Sequence, residues 1–266
     1  MVAEYLREFQ WSCVAFLGEE LFALSSPSSK QIDVYNANDY SILGNVTLKV
    51  RGYAYFVDMA ACCFNKCLYL ADACNTRIVR LALPPKLSKW KVDDIGDGCV
   101  VSVTGLHDLL VLCDKSNKLK LFRTDGHLLM TVGLQPGIAN VNSAMELIQG
   151  HYLVTHGKGS DKLHRVCLVN GEGKLLRAGS HPALLDCPNA VAVDGDGFVY
   201  VIEEGTGRLV VLNPTLEYIH RILRKGPPSG FRRMKMDKAL KRIFIGHDHP
   251  SSRDAAYCVT VFEIEQ

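Results

Sequence analysis

The sequence lacks the features that would place the protein in a membrane or in the secretory pathway. It has no uncharged apolar run near the roughly 18 residues that a transmembrane helix needs. Glu4, Arg7 and Glu8 interrupt the segment in which a signal peptide would have its apolar core. We therefore expect a soluble, cytoplasmic protein with no membrane partner.

An excess of charge of one sign is also missing. The 30 Lys and Arg residues nearly cancel the 28 Asp and Glu residues, which leaves a net charge of +2 over 266 residues. The chain as a whole is therefore neither a polyanion binder nor an acidic tail. Because 48% of the residues are apolar or aromatic, the composition is that of a globular protein whose partners bind local surfaces.

Cysteine and histidine are present without the spacing of a metal site. Ten cysteines in 266 residues are too sparse for a small disulfide scaffold, so we expect free thiols. Four of them cluster without the two-residue spacing of structural zinc ligands: Cys62, Cys63, Cys67 and Cys74. Alternate side chains of an extended segment point to the same side, so in the segment 247–249 only His247 and His249 could bind one metal ion. Two ligands do not make a zinc site. We expect neither a metal nor another cofactor.

Familiar catalytic motifs are absent as well. The chain contains no Gly-x-Ser-x-Gly nucleophile elbow. Ser160, Asp161 and His164 share one loop, which cannot preorganise a triad. The segment 157–159 has two glycines around a lysine but lacks a phosphate-binding pattern and a following helix. We therefore expect no catalytic residues.

What the sequence does contain is a degenerate repeat. Short apolar strands that end in a polar residue begin at residues 21, 68, 110, 152, 199 and 243, which are 42 to 47 residues apart. A second apolar strand follows each of them, and polar hairpins such as Asp125-Gly126 and Glu172-Gly173 precede further apolar pairs. Four strands in about 40 to 50 residues are typical of a propeller blade.

The repeat predicts an all-β, single-domain, six-bladed β-propeller without significant helix. The six units span approximately 11–50, 51–96, 97–138, 139–182, 183–230, and 231–266 together with 1–10. The sixth unit lacks an outermost strand, while residues 4–9 precede the first unit without a partner. We therefore expect the N-terminal strand to complete the last blade, and its deletion to open the propeller.

Two units resemble the NHL repeat family, which forms the C-terminal propeller of tripartite-motif NHL proteins. In the second unit an apolar strand leads to Asp72, a turn containing Asn75, and then Arg77 before the next strand. The fifth unit has a similar segment at 188–203. The resemblance implies a recognition module for protein or RNA, which can serve as the target-recognition part of a ubiquitin-ligase-type assembly.

Six-bladed propellers also include metal-dependent lactonases of the gluconolactonase class, which hold a divalent cation in the central channel. At comparable innermost positions this chain has Ser102, Ala192 and Lys235, and Glu146 is the lone acidic candidate. A hard cation needs several oxygen ligands, and a lysine would repel it. The lactonase reading is therefore disfavoured and stays as the enzyme alternative.

Loop length suggests where a partner binds. Connections between second and third strands share a rim with the connections between blades, and they are longest in units four and six. A protein partner should contact this loop rim, for which the candidate residues are Lys158, Lys162, His164, Arg165, Arg224, Lys225, Arg232, Arg233, His247, His249, Arg253 and Tyr257.

RNA is the second possible partner. The segment 221–242 carries nine basic residues against one acidic residue, and a local basic surface is what phosphates require. Lys238, Lys241 and Arg242 belong to a hairpin on the opposite face, however, so the segment is not one patch. Only Phe231 and Tyr257 could offer aromatic rings for base stacking near the rim.

Overall fold

The computed structural model describes residues 2–93, 95–96, 99–113, 116–157, 165–179, 185–204, 206–222, 233–239, 241–248 and 257–265. These residues form a six-bladed β-propeller with six four-stranded antiparallel sheets. The described part of the chain has one helical element, the 3-10 turn Ala73–Asn75. The predicted all-β propeller is confirmed.

The chain divides into two compact units, Trp11–Val132 and Met1–Gln10 together with Gly133–Gln266. The first unit holds three blades, each with its strands in chain order from the innermost to the outermost. Their strands are β2 (Cys13–Leu17), β3 (Glu20–Leu24), β4 (Gln31–Asn36) and β5 (Ile42–Thr47); β6 (Phe56–Cys62), β7 (Cys67–Asp72), β8 (Arg77–Ala82) and β9 (Lys86–Lys91); and β10 (Val100–Val103), β11 (Leu109–Cys113), β12 (Lys118–Phe122) and β13 (Leu128–Gly133).

The second unit holds the other three blades, the last of which includes the N-terminal strand β1 (Val2–Phe9). The remaining strands are β14 (Val141–Ile148), β15 (His151–His156), β16 (Arg165–Asn170) and β17 (Leu175–Ala178); β18 (Pro188–Val193), β19 (Val199–Glu203), β20 (Arg208–Leu212) and β21 (Tyr218–Ile222); and β22 (Arg233–Asp237), β23 (Arg242–Asp248) and β24 (Tyr257–Glu265).

Burial on both faces explains why the second strand of each blade is the clearest sequence signal. All residues of β7 and β19 are buried, because neighbouring blades cover the two faces of a central strand. Such strands read as continuous apolar runs rather than as alternating patterns. Outer strands such as β5 are largely exposed and give a weaker signal.

Strand β9 shows how weak that signal can become. Its sequence, Lys-Leu-Ser-Lys-Trp-Lys, exposes its lysines to solvent, and edge lysines discourage pairing with other chains. Trp90 faces inward, where its ring meets Tyr69 edge to face with a centroid distance of 6.1 Å. Trp90 and Leu87, which packs against the apolar core, therefore anchor a strand whose composition is otherwise that of a solvated loop.

The N-terminal strand completes the last blade, as predicted. Strand β1 pairs antiparallel with β24 from Val2 opposite Glu265 to Phe9 opposite Val259, with an irregularity between Tyr5 and Arg7. The Tyr5 and Phe262 rings meet edge to face at 6.3 Å. The resulting strand order is β1, β24, β23, β22.

Candidate interaction site

Most of the predicted loop rim lies outside the described residues. This applies to eight of the twelve candidates: Lys158, Lys162, His164, Arg224, Lys225, Arg232, His249 and Arg253. Arg165 and Arg233 are half-buried first residues of β16 and β22, and Tyr257 begins β24. The loop rim therefore stays a prediction.

The remaining rim candidate, His247, lies inside the last blade. Its side chain is buried, and Nε2 is 2.8 Å from Oγ1 of Thr260 on the neighbouring strand. The Thr260 hydroxyl in turn donates a hydrogen bond to Oε2 of Glu8, at 3.3 Å. His247 thus belongs to a polar network that connects β23, β24 and β1.

Blades two and five place a carboxylate where His247 lies in blade six. Asp72 ends β7, is fully buried and accepts hydrogen bonds from Arg77 Nε and Asn75 Nδ2, at 2.8 and 2.9 Å. Glu203 ends β19 and accepts bonds from the Asp186 amide and the Thr206 hydroxyl. The Asp, Asn and Arg of the NHL-like motif therefore hold a loop in place.

The fourth blade has a second buried histidine at this position. His156 ends β15, and its Nε2 lies 3.4 Å from Sγ of Cys167 on β16. Burial raises the pKa of the Cys167 thiol to about 11, so the sulfur is protonated at neutral pH. A neutral thiol beside a histidine is a packing contact and not an activated nucleophile.

The acidic residues of the innermost strands also have structural partners. Glu146 Oε1 accepts a hydrogen bond from the Gly150 amide at 3.0 Å, within its own hairpin. Asp58, which sequence reasoning missed, is buried on β6 and accepts a hydrogen bond from the Val101 amide of β10 at 2.9 Å. The sequence feature that could have identified Asp58 was an acidic residue in the middle of an apolar strand. In the described ranges, no cluster of three or more His, Cys, Asp or Glu residues could hold a metal ion.

Two hairpin turns of the first unit form an exposed aromatic surface. Phe64, in the turn between β6 and β7, stacks on His107, in the turn between β10 and β11, with centroids 4.3 Å apart and planes 4° from parallel. Phe64 is 72% exposed and the adjacent Leu106 is 61% exposed. We call Phe64, Leu106 and His107 the turn platform.

One hydrogen bond joins the two turns, and others fix each turn internally. Asn65 Nδ2 donates to the carbonyl oxygen of His107 at 3.3 Å and also to Sγ of Cys62 at 3.2 Å. In the other turn the His107 amide donates to the Thr104 carbonyl at 2.9 Å. His107 has a φ of 68°, a backbone conformation that residues other than glycine seldom adopt. The turn platform is therefore preorganised, although it is exposed.

Sequence reasoning assigned no function to the turn at residues 64–66. The available signal was the repeat itself, because β7 and β11 begin 42 residues apart and positions 64 and 106 are separated by the same interval. Equivalent turns of adjacent blades lie side by side. An apolar residue at the tip of both turns therefore predicts a shared surface.

A cavity of about 180 Å³ lies in the second unit. Its lining includes the Asp194–Asp196 turn, Lys238 and Lys241. Tyr200 donates a hydrogen bond to Oδ2 of Asp194 at 3.1 Å, and burial together with that carboxylate raises the pKa of Tyr200. With two carboxylates and two ammonium groups in its lining, the cavity has no net charge that would select a ligand of either sign.

Comparison with solved structures finds the same fold in proteins of distant sequence. A protein of unknown function from Bacteroides caccae is 15% identical, with 86% of this chain and 83% of that chain covered and a TM-score of 0.62. Hydrazine synthase from Kuenenia stuttgartiensis is 13% identical, with 98% and 97% covered and a TM-score of 0.61. A streptogramin B lyase is 10% identical, with 99% and 87% covered and a TM-score of 0.66.

No family model and no curated protein matches the sequence. At these identities the similarities show the propeller fold alone. The NHL resemblance therefore stays a prediction. In the part of the chain that the structure describes, none of the helical structure is long and apolar enough to span a bilayer.

Proposed function

We propose that the protein is a non-catalytic recognition propeller that binds a protein partner. The turn platform carries this proposal, because it combines a highly exposed aromatic ring with fixed geometry. Aromatic residues held in place by their neighbours are enriched among the residues that contribute most to protein–protein affinity. A surface that is rigid before binding also loses little conformational entropy when the partner arrives.

The chemistry of the turn platform suggests what the partner presents. Phe64 and Leu106 offer apolar surface, and Lys66, exposed in the same turn as Phe64, adds a positive charge. A partner segment with an apolar side chain next to an acidic residue would satisfy both. The NHL resemblance supports target recognition, and with it a place in a ubiquitin-ligase-type assembly, with the loop rim as an additional contact surface.

Affinity capture tests the proposal. Immobilised wild-type protein is incubated with native lysate beside Phe64→Ala/Leu106→Ala and a control, Ile42→Ala, which removes a side chain that is 73% exposed on β5. We expect a protein that wild type and Ile42→Ala retain equally and that the double variant loses by at least tenfold. Equal capture by all three proteins would exclude the turn platform as the binding surface.

RNA is the second candidate, because a stacked aromatic surface beside a lysine can also receive a base. The basic segment 221–242 could contribute phosphate contacts. Nuclease treatment separates the two candidates. Capture that is lost with nuclease, and that falls steeply with salt and with neutralisation of Arg224, Arg232 and Arg233, would replace the protein partner by RNA.

An enzyme of the same fold is the third candidate, since one structure with this fold is called a streptogramin B lyase and the lactonase alternative uses the same architecture. Fold similarity does not establish an activity. Titration with Ca²⁺ or Mn²⁺ tests a metal-dependent site, because specific binding raises the melting temperature by mass action. A rise at submillimolar metal would favour the enzyme over our proposal.

A further inference from the structure

We propose that Cys62 and Cys67 are a redox-active dithiol that closes to a disulfide on reaction with a small-molecule disulfide such as oxidised glutathione. The two residues end β6 and begin β7, and they are direct partners in the register of this antiparallel pair. Both are free thiols, and both are buried, so the exchange requires local opening of this hairpin. The inference concerns the hairpin itself and holds whether or not the turn platform binds a partner.

The backbone positions suit a disulfide without rearrangement of the sheet. Directly opposed residues of antiparallel strands have Cα atoms about 4.5 or 5.5 Å apart, depending on the type of pair. Disulfides span Cα separations of about 4.4–6.8 Å. Cys62 and Cys67 lie at the end of the ladder next to the turn, where a small adjustment of the backbone disturbs the fewest cross-strand bonds.

The surroundings of the two sulfur atoms differ. Two N–H groups of Asn65 point at Sγ of Cys62, the backbone N at 3.5 Å and Nδ2 at 3.2 Å. Cys67 lies beside Tyr69 and Arg80, and burial raises the pKa of its thiol. We assign the first attack on an oxidant to Cys62, because the raised pKa of Cys67 makes that residue a poor source of the attacking thiolate.

The reaction balances with one molecule of oxidised glutathione. The Cys62 thiol gives up its proton and its sulfur attacks one sulfur of the oxidant. The S–S bond of the oxidant breaks as the mixed disulfide forms, and the released glutathione thiolate takes up that proton. The Cys67 sulfur then attacks the Cys62 sulfur and displaces the second glutathione thiolate, which takes up the Cys67 proton. The products are one protein disulfide and two reduced glutathione molecules.

Closure of the disulfide would alter the turn platform. The same Asn65 side chain that contacts Cys62 also holds the carbonyl of His107. When Sγ of Cys62 bonds to Cys67 it leaves the position that Asn65 now contacts, so the link between the two turns changes. This last step rests on the proposed function: if the turn platform binds a partner, the oxidation state of the hairpin regulates that binding.

Tryptic mapping tests the disulfide directly. Trypsin cleaves after Lys66, so an intact disulfide joins peptide 52–66 to peptide 67–77. Each peptide holds a second cysteine, the exposed Cys63 and Cys74. Two variants therefore separate the possible pairings: Cys63→Ser/Cys74→Ser keeps only the proposed pair, and Cys62→Ser/Cys67→Ser keeps only the exposed pair.

Folded proteins are treated with oxidised glutathione, alkylated in denaturant and digested without reductant. We expect the joined peptides in wild type and in Cys63→Ser/Cys74→Ser, at least tenfold above Cys62→Ser/Cys67→Ser. Glutathione adducts on Cys63 of the wild type show that the oxidant acts. If those adducts form while Cys63→Ser/Cys74→Ser yields no joined peptides, the proposal is wrong. Cys63→Ser/Cys74→Ser should fold like wild type, because both substituted residues are exposed. The detection of joined peptides by mass does not depend on any binding partner.

Discussion

Glu8 of the N-terminal strand and His247 of the last blade lie 3.5 Å apart, from Oε2 to Nε2. Thr260 bridges them, because its hydroxyl is 2.8 Å from the histidine and 3.3 Å from the carboxylate. Three strands are thus joined by side chains as well as by their backbone ladder. The N-terminal strand has a specific place in the last blade and is not a generic edge strand.

Thr260→Val tests the contribution of this network. The substitution keeps the shape of a fully buried side chain and removes the bridging hydroxyl. We expect the free energy of unfolding to fall by about 1–3 kcal/mol, the usual cost when a buried polar group loses a partner. Chemical denaturation measures it, with Thr47→Val on the exposed side of β5 as the control. Equal stability of the two variants would show that the network is not stabilising.

Two glycines with similar backbone angles should respond differently to alanine. A Cβ on Gly173 would clash with the carbonyl oxygen of Gly133, whereas a Cβ on Gly150 would meet nothing within 4 Å. Both have positive φ, which costs an alanine about 1–2 kcal/mol. Gly150→Ala should therefore lose about that amount and Gly173→Ala clearly more, as read from denaturation midpoints. A Gly173→Ala variant no less stable than Gly150→Ala would contradict the close approach.

The second strand of each blade could be predicted from the sequence, and the closure of the last blade likewise. Buried faces on both sides turn strands such as Val199–Glu203 into apolar runs, and an unpaired strand at the N-terminus needs a partner. Strand β9 could not be predicted with the same ease, because its inward contacts come from Leu87 and Trp90 alone, among lysines and a serine.

The turn platform escaped prediction for a different reason. Phe64 is an ordinary turn residue in the sequence, and its importance depends on the stacked His107 of the next blade. Such a contact follows from the repeat interval only after the blades have been aligned. The partners of His247 could not be predicted for a similar reason, because Thr260 lies on the following strand and Glu8 lies at the other end of the chain.

The ion pair between Asp72 and Arg77 should be a large local contribution to stability. Asp72 is fully buried, and its Oδ2 is 2.8 Å from both Nε and Nη2 of Arg77. Removing one partner of such a pair typically costs about 3–5 kcal/mol. We expect that loss for Asp72→Ala, measured by denaturation. A double-mutant cycle with Arg77→Met isolates the pair, and a coupling energy near zero would contradict the expectation.

The buried Cys167 thiol predicts a loss of stability in alkali. Burial raises its pKa in the folded protein to about 11 from an ordinary value near 9. The folded state therefore keeps a proton that the unfolded chain releases above pH 9, so this contribution is intact below pH 9 and is lost as the pH rises through 11.

Cys167→Ala should make the free energy of unfolding depend less on pH between 9 and 11 than in wild type. Denaturation curves at several pH values measure the slope, and Cys63→Ala, which removes an exposed thiol, should leave it unchanged. Identical slopes for wild type and Cys167→Ala would show that this thiol titrates alike in both states.

Site-specific photo-cross-linking in native lysate tests the recognition function most directly. A photo-reactive amino acid replaces Leu106 on the turn platform or, as the control, Ile42 on β5, both highly exposed in the same unit. Our account predicts a discrete protein adduct from position 106 that persists after nuclease treatment, disappears when Phe64→Ala is added, and is absent from position 42. No adduct at position 106, equal labelling at both positions, or an adduct to RNA alone would contradict it.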